Sequence, residues 1–279
     1  LIPEYFKASL TAGFFYSCIF PKLSELSRKF KIIILKIVQT ILLTFYKVWV
    51  FLVFSVFMIL YLPGIIGPFL LGQRFGNIGY FFLWLWSWTF SILTFIRYEF
   101  HGTENFKKGK SYIYISNHTS FLDIPGIRMI IPGQFRPLAK KELLKIPVFG
   151  WIAKAATIIV DRSSPESRKK SIDRLKQFLK QGISILIFAE GTQNRSKELL
   201  QPFHDGAFRI AIDTQRPILP LVVIGAGKLM PPSTINLRPG KIRIYVGDEI
   251  STEGLTGTEV QALKEKTFKA MEDLIKRNL

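Results

Sequence analysis

The chain has 279 residues, 48% of them hydrophobic, and a formal net charge of +18; its mean hydropathy is positive. A chain that is both greasy and basic points to an anionic membrane surface. Long uncharged aromatic runs gain a soluble nucleic-acid binder nothing, so nucleic acid is excluded as partner. One cysteine, Cys18, excludes an internal disulfide framework and any multi-cysteine metal site.

The chain starts at Leu1 and not at a methionine, which leaves room for an upstream piece. The apolar run 10–20 is too short to span a bilayer and has no small-residue cleavage site after it. No charged residue lies between Lys47 and Arg74, or between Arg74 and Arg97. The first tract, 48–62, is interrupted by Pro63-Gly64 and then Gly67-Pro68; the second, 75–96, carries Trp84, Trp86 and Trp88. A span needs about 20 apolar residues, which the second tract has and the first reaches only by starting upstream, among residues 32–44. Both flanks are rich in lysine and arginine, and the turn holds one arginine. The positive-inside rule then predicts an N-terminal membrane-associated helical hairpin with both flanks cytoplasmic. A hairpin lying in one leaflet, and two buried core helices, are the other readings.

After Arg97 the pattern changes, and residues 98–279 read as an α/β domain behind an anchoring region, 1–97. Strands are predicted at 111–116, 156–160, 184–188, 218–223 and 241–246, several of them apolar on both faces. Between them lie helix signals. Ser163-Ser164-Pro165-Glu166 offers a capping serine and a first-turn proline, Ile172, Leu175 and Leu179 form a stripe, and Gly182 stops it. Thr256 and Glu259 have capping-box spacing ahead of Val260, Leu263, Met271 and Leu274. Alternating strands and helices predict a mixed, partly parallel sheet flanked by helices.

Three polar clusters follow three of these strands: Asn117-His118, Asp161-Arg162, and Glu190-Gly191-Thr192 with Arg195. Loops at the carboxyl ends of strands line the ligand crevice of an open α/β sheet. Five residues along a regular helix rotate about 500°, so His118 and Asp123 would point roughly 140° apart on one helix. They meet if His118 sits on the loop and Asp123 in the first turn, with Thr119 or Ser120 as cap. A carboxylate on one imidazole nitrogen leaves the other as a base. No G-x-S-x-G elbow supplies a protein nucleophile, so the base is expected to act on a substrate hydroxyl or water. Arg162 and Arg195, with the amides of 190–192, suit a phosphate. Each feature has a plainer reading: a structural histidine at a strand end, a surface Asp161–Arg162 pair, a tight turn at Gly191. Two ligands are too few for a metal, and His101 and His204 have no reason to join them.

Asn117-His118-Thr119-Ser120-Phe121-Leu122-Asp123 resembles the H-x4-D motif of the glycerolipid acyltransferases, the family of 1-acyl-sn-glycerol-3-phosphate acyltransferases. Lys141-Glu142-Leu143 through Asp161-Arg162, Phe188-Ala189-Glu190-Gly191-Thr192, and Pro202-Phe203 through Pro220-Leu221 resemble the family's later blocks, in order. The resemblance implies that His118 is the general base on the sn-2 hydroxyl of lysophosphatidate, oriented by Asp123. Glu190, Gly191, Thr192 and Arg162 would bind the glycerol phosphate. The acyl donor would be the thioester of coenzyme A or of an acyl carrier protein, and the product phosphatidate. No cofactor or metal is implied. The partners would be lysophosphatidate, the donor and the bilayer, a bacterial inner membrane with the catalytic domain on its cytoplasmic side. Transfer to glycerol 3-phosphate or another lysophospholipid is the neighbouring possibility; a lipid ester hydrolase and a non-enzymatic membrane-binding protein are remoter ones. The chain departs from the family pattern at Ala189, at Gln193 where arginine is common (Arg195 standing two residues on), and at His204-Asp205.

Overall fold

The computed structural model describes the backbone of residues 4–161 and 164–279, and the side chains of 29–279 other than 162, 163 and 168. The chain divides into two compact units, Leu1–Val48 and Trp49–Leu279. A long helix, α1 (Glu4–Leu70), opens it. Within α1, Lys29–Leu70 is the one helical stretch among the described residues that is long and apolar enough to cross a membrane.

The break predicted at Pro63-Gly64 does not occur; α1 runs on to Leu70. A proline inside a helix costs about 3 kcal/mol through a lost hydrogen bond and a clash with the preceding turn. Packing against α2 (Gly76–Thr94) offsets that cost. Ile65 is fully buried, and Gly64 lies so close to the Phe82 ring that a Cβ would meet it at 2.6 Å. Phe54 meets Trp86 edge-on at 5.2 Å, and the Trp49 indole N–H donates to the Leu93 carbonyl (2.8 Å). The chain reverses after Leu71 instead, through Gly72 at φ 118°, where only glycine sits without strain. Tyr80, Trp86, Ser87 and Phe90 of α2 are buried, which ties this helix to the body of the second unit.

The remaining elements alternate. They are β1 (Ile96–His101), β2 (Ile113–Ser116), α3 (Asp123–Ile130), β3 (Phe135–Lys140), α4 (Phe149–Ala156), β4 (Ile158–Val160), α5 (Pro165–Lys180) and β5 (Ser184–Phe188). Then come α6 (Gly206–Thr214), β6 (Ile218–Ile224), α7 (Ala226–Leu229), β7 (Gly240–Val246) and α8 (Val260–Asn278). The strands form one seven-stranded sheet in the order β1-β7-β6-β2-β5-β3-β4. Only β6 and β7 pair antiparallel; the other five pairings are parallel. The chain is therefore an α/β protein with a mixed sheet flanked by helices. All five predicted strands are present.

β1 and β3 are additional. β1 interleaves Arg97, Glu99 and His101 with apolar residues at the sheet edge, and β3 carries Arg136, Pro137 and Lys140, which read as loop. What makes β3 a strand is tertiary. The Arg136 guanidinium is buried against the rings of Phe69, Tyr80 and Phe178 at 5.0–5.6 Å, a cation–π setting that keeps its charge among aromatic faces.

Local signals fix helix ends. The Ser164 side chain caps α5 by accepting from the Ser167 N–H, and Gly182 takes φ 77° just beyond it. The Thr256/Glu259 capping box forms ahead of α8. Ile113, Ile115, Leu175, Leu179, Phe208 and Met271 anchor the core between the sheet and helices α5, α6 and α8.

Candidate active site

β2 is buried along its whole length and ends at Ser116. Beyond it, Asn117 takes the place of another rung of the ladder. Its Nδ2 donates to the Val223 carbonyl (2.9 Å) and its Oδ1 accepts the Val223 N–H (2.7 Å). The chain can then leave the sheet at His118 without abandoning β6.

His118 Nδ1 lies 2.9 Å from Asp123 Oδ2. As predicted, His118 stands on the loop and Asp123 is the first residue of α3, its side chain fully buried. The capping expectation is corrected. No side-chain cap forms at the residue preceding α3, Leu122. Instead the Asp123 carboxylate reaches back to accept the N–H groups of Thr119 (2.7 Å) and Ser120 (2.9 Å). Ser120 Oγ accepts the Leu122 N–H and donates to the Met230 carbonyl (2.8 Å). Three N–H donors satisfied by one acid make the loop a closed unit. With a carboxylate as acceptor, Nδ1 carries the imidazole proton and Nε2 is the free base. The ring is held flat against Phe188, centroids 4.1 Å apart.

The backbone of His118 is pinned at both ends by the segment after β5. Its N–H donates to Glu190 Oε1 (3.0 Å), and its carbonyl accepts the Asn194 N–H (2.6 Å). Glu190 Oε2 accepts the Gln201 N–H (2.9 Å). Burial pushes the Glu190 carboxyl above the ordinary carboxylate range, outweighing the two N–H donors that lower it. Glu190 thus faces the base from within the protein, whereas its neighbours Gly191, Thr192 and Gln193 line a cavity together with His118 and Arg195.

That cavity holds about 790 Å³. Its buried wall is apolar, with Met58, Trp86, Ile127 and Leu175. Its polar end carries His118, Thr192 and Arg195, the last two exposed. Arg195 Nη2 is hydrogen-bonded to Ser233 Oγ, from the loop after α7. Ser233, which lines the same cavity and sits at φ 59°, has no signal in the sequence. The bracing roles of Glu190 and Asn194 have none either. His204 also reaches the cavity wall, while His101 stacks on Tyr245 at 4.6 Å. Arg162 lies outside the described residues; its neighbour Asp161 pairs with Lys141 (3.0 Å). Among the described residues no group of three or more His, Cys, Asp or Glu is arranged to hold a metal ion.

A free imidazole base at the solvent end of a long apolar cavity, on an α/β sheet, is the equipment of an enzyme that handles lipid chains. Residues 97–224 match the Acyltransferase family. An uncharacterized acyltransferase of Schizosaccharomyces pombe is 34% identical over 188 residues, covering 66% of this chain and 67% of that protein. The human 1-acyl-sn-glycerol-3-phosphate acyltransferase alpha is 32% identical over 63% of this chain and 62% of its own length. The Saccharomyces cerevisiae 1-acyl-sn-glycerol-3-phosphate acyltransferase is 36% identical over 63% and 58%. The chain thus matches about 58–67% of the length of these relatives. The crystal structure of the 1-acyl-sn-glycerophosphate acyltransferase PlsC from Thermotoga maritima shares the fold at a TM-score of 0.73 and 20% identity, covering 85% of this chain and 96% of that one. The chain belongs to the acyltransferase family.

Proposed function

We propose that the protein transfers a fatty acyl group from an acyl thioester to the sn-2 hydroxyl of 1-acylglycerol 3-phosphate, producing phosphatidate. The observation that carries this reading is one cavity bordered by the His118 base, the Arg195 cation and a deep apolar wall. His118 Nε2 takes the hydroxyl proton as the oxygen bonds to the thioester carbonyl carbon. Asp123 holds the ring and stabilises the imidazolium. The C–S bond then breaks, and the departing thiolate takes the proton back from His118. General-base assistance of this kind contributes about 10²–10⁴ in rate.

The acceptor phosphate sits at Gly191, Thr192 and Arg195, with Glu190 supporting the site from beneath through the His118 backbone; the motif resemblance adds Arg162 as a further phosphate ligand. The names of the human and yeast relatives support the acceptor. Coenzyme A or an acyl carrier protein carries the donor chain. Residues 1–97 anchor the protein as a helical hairpin and 98–279 form the catalytic domain, on the cytoplasmic face of the membrane, the inner membrane if the source is bacterial. The apolar stretch Lys29–Leu70 supports the anchoring role.

The test is incubation with lysophosphatidate and a labelled acyl thioester. Phosphatidate should form and should vanish with His118→Ala. Free fatty acid without phosphatidate would identify a hydrolase, and acylation of glycerol 3-phosphate alone would move the acceptor assignment.

A further inference from the structure

Between β3 and α4 the chain carries part of the second family-like motif block together with a run of exposed apolar side chains. Residues 141–145 form a short 3-10 turn with no buried side chain. Leu144 within it, and Ile146 and Trp151 beyond it, are 39, 45 and 61% exposed. Four lysines, Lys140, Lys141, Lys145 and Lys154, accompany them against one carboxylate in the segment, Glu142. Lys141 is paired with Asp161.

The segment is built and held. Val148 adopts φ 64° and ψ −54°, a conformation β-branched residues avoid. It closes a three-residue turn in which the Phe149 N–H donates to the Pro147 carbonyl (2.6 Å), and the Gly150 N–H donates to Ile146 (2.7 Å). A Cβ on Gly150 would meet the Leu144 carbonyl oxygen at 2.5 Å, so only glycine lets the turn close. Strained backbone persists where surrounding structure over-determines it, and it concentrates at functional surfaces. Here the strain turns Ile146 and Pro147 outward into solvent. Glu142, Leu143 and Phe149 of the same segment line the cavity, so the exposed run stands on its rim. Phe121, just before α3, and Ile124, in its first turn, are 49 and 38% exposed and line that cavity.

We infer that residues 144–151 form a second membrane contact, separate from the N-terminal helices, which sets the cavity rim into the headgroup layer of an anionic bilayer. An exposed tryptophan with aliphatic neighbours and flanking lysines is the residue chemistry of the membrane interface. The indole and alkyl groups enter the acyl boundary while the ammonium groups meet lipid phosphates. The chain's charge of +18 gives the same complementarity. The inference rests on the proposed lipid acceptor for its purpose: a substrate drawn from the bilayer then reaches the cavity without crossing water.

The test reads position and needs no turnover, so it stands or falls apart from the proposed reaction. Full-length protein with Cys18→Ser and Trp151→Cys is labelled with an environment-sensitive nitrobenzoxadiazole dye and reconstituted in phosphatidylcholine vesicles containing phosphatidylglycerol. The dye should shift to the blue, be quenched by nitroxide-bearing lipids and be shielded from aqueous iodide. The same label at Ile146→Cys should behave alike. Omitting phosphatidylglycerol should lower the nitroxide quenching by about twofold, since each lysine draws on anionic lipid. Labels at both positions that stay open to iodide and escape nitroxide would overturn the contact. Shielding that arises only on adding an acyl carrier protein would overturn it too, by marking a protein-docking surface.

Discussion

The two ends of the cavity's polar border are constructed differently. At the His118 end the polar groups of the histidine other than Nε2 have partners inside the protein: Nδ1 on Asp123, the backbone N–H on Glu190, the carbonyl on Asn194. At the Arg195 end an exposed cation leans on one hydroxyl, Ser233, in a loop that contributes little to the core. A base must be placed to within a fraction of an ångström before the substrate arrives, whereas a phosphate-binding cation can adjust to its ligand. On the proposed reading, turnover depends on the first end and acceptor affinity on the second.

Asp123→Asn is the hardest test of the rigid end. An amide in that position leaves the imidazole in the wrong tautomer, so kcat should fall about 10³–10⁴-fold with acceptor KM nearly unchanged. A modest loss would show that Asp123 only packs. Arg195→Ala probes the adjustable end, and acceptor KM should rise about 10–100-fold, the strength of a charge-assisted contact, with kcat much less affected. A fall in kcat with KM intact would erase the division.

Glu190→Gln tests whether the brace belongs with the base. The amide can accept one of the two N–H groups and opposes the other with a donor, a loss of about 1–3 kcal/mol; kcat should drop about tenfold while acceptor KM moves little. The pH dependence supplies a second readout. The folded carboxyl is held above its ordinary value of 4.5, so the folded state binds its proton more readily than the unfolded one. Its contribution to stability is therefore greatest below pH 4.5 and declines as pH rises through the folded value. Denaturation across this range should show wild type losing stability relative to the glutamine variant as pH increases. Ser233→Ala is the smallest change expected, about a two- to threefold rise in acceptor KM, because it removes only a partner that aims Arg195.

What was legible in the sequence was local. His118 and Asp123 are five residues apart, and one turn of geometry brought them together; the strands on either side announced themselves by apolar runs. The brace from Glu190 joins residues 72 apart, and Ser233 lies 38 residues from Arg195, distances over which spacing carries no geometry. The same limit explains β3, whose proline and cations are acceptable only because Phe69, Tyr80 and Phe178 surround Arg136. It also explains α1, where Pro63 is a helix breaker until Phe82 fills the space beside Gly64. Motif order identified the family; three-dimensional neighbours decided what each motif residue touches.

The Asn117 clasp has a consequence for watching the protein without substrate. It makes the Val223 amide a hydrogen-bond donor to a side chain that belongs to the catalytic loop. Deuterium uptake at that single amide is then a clock on the loop: each detachment of Asn117 lets solvent in, and each re-docking shuts it out. Isotope exchange at Val223 would record how often the neighbouring histidine is in working order, in the resting enzyme and with no turnover to count.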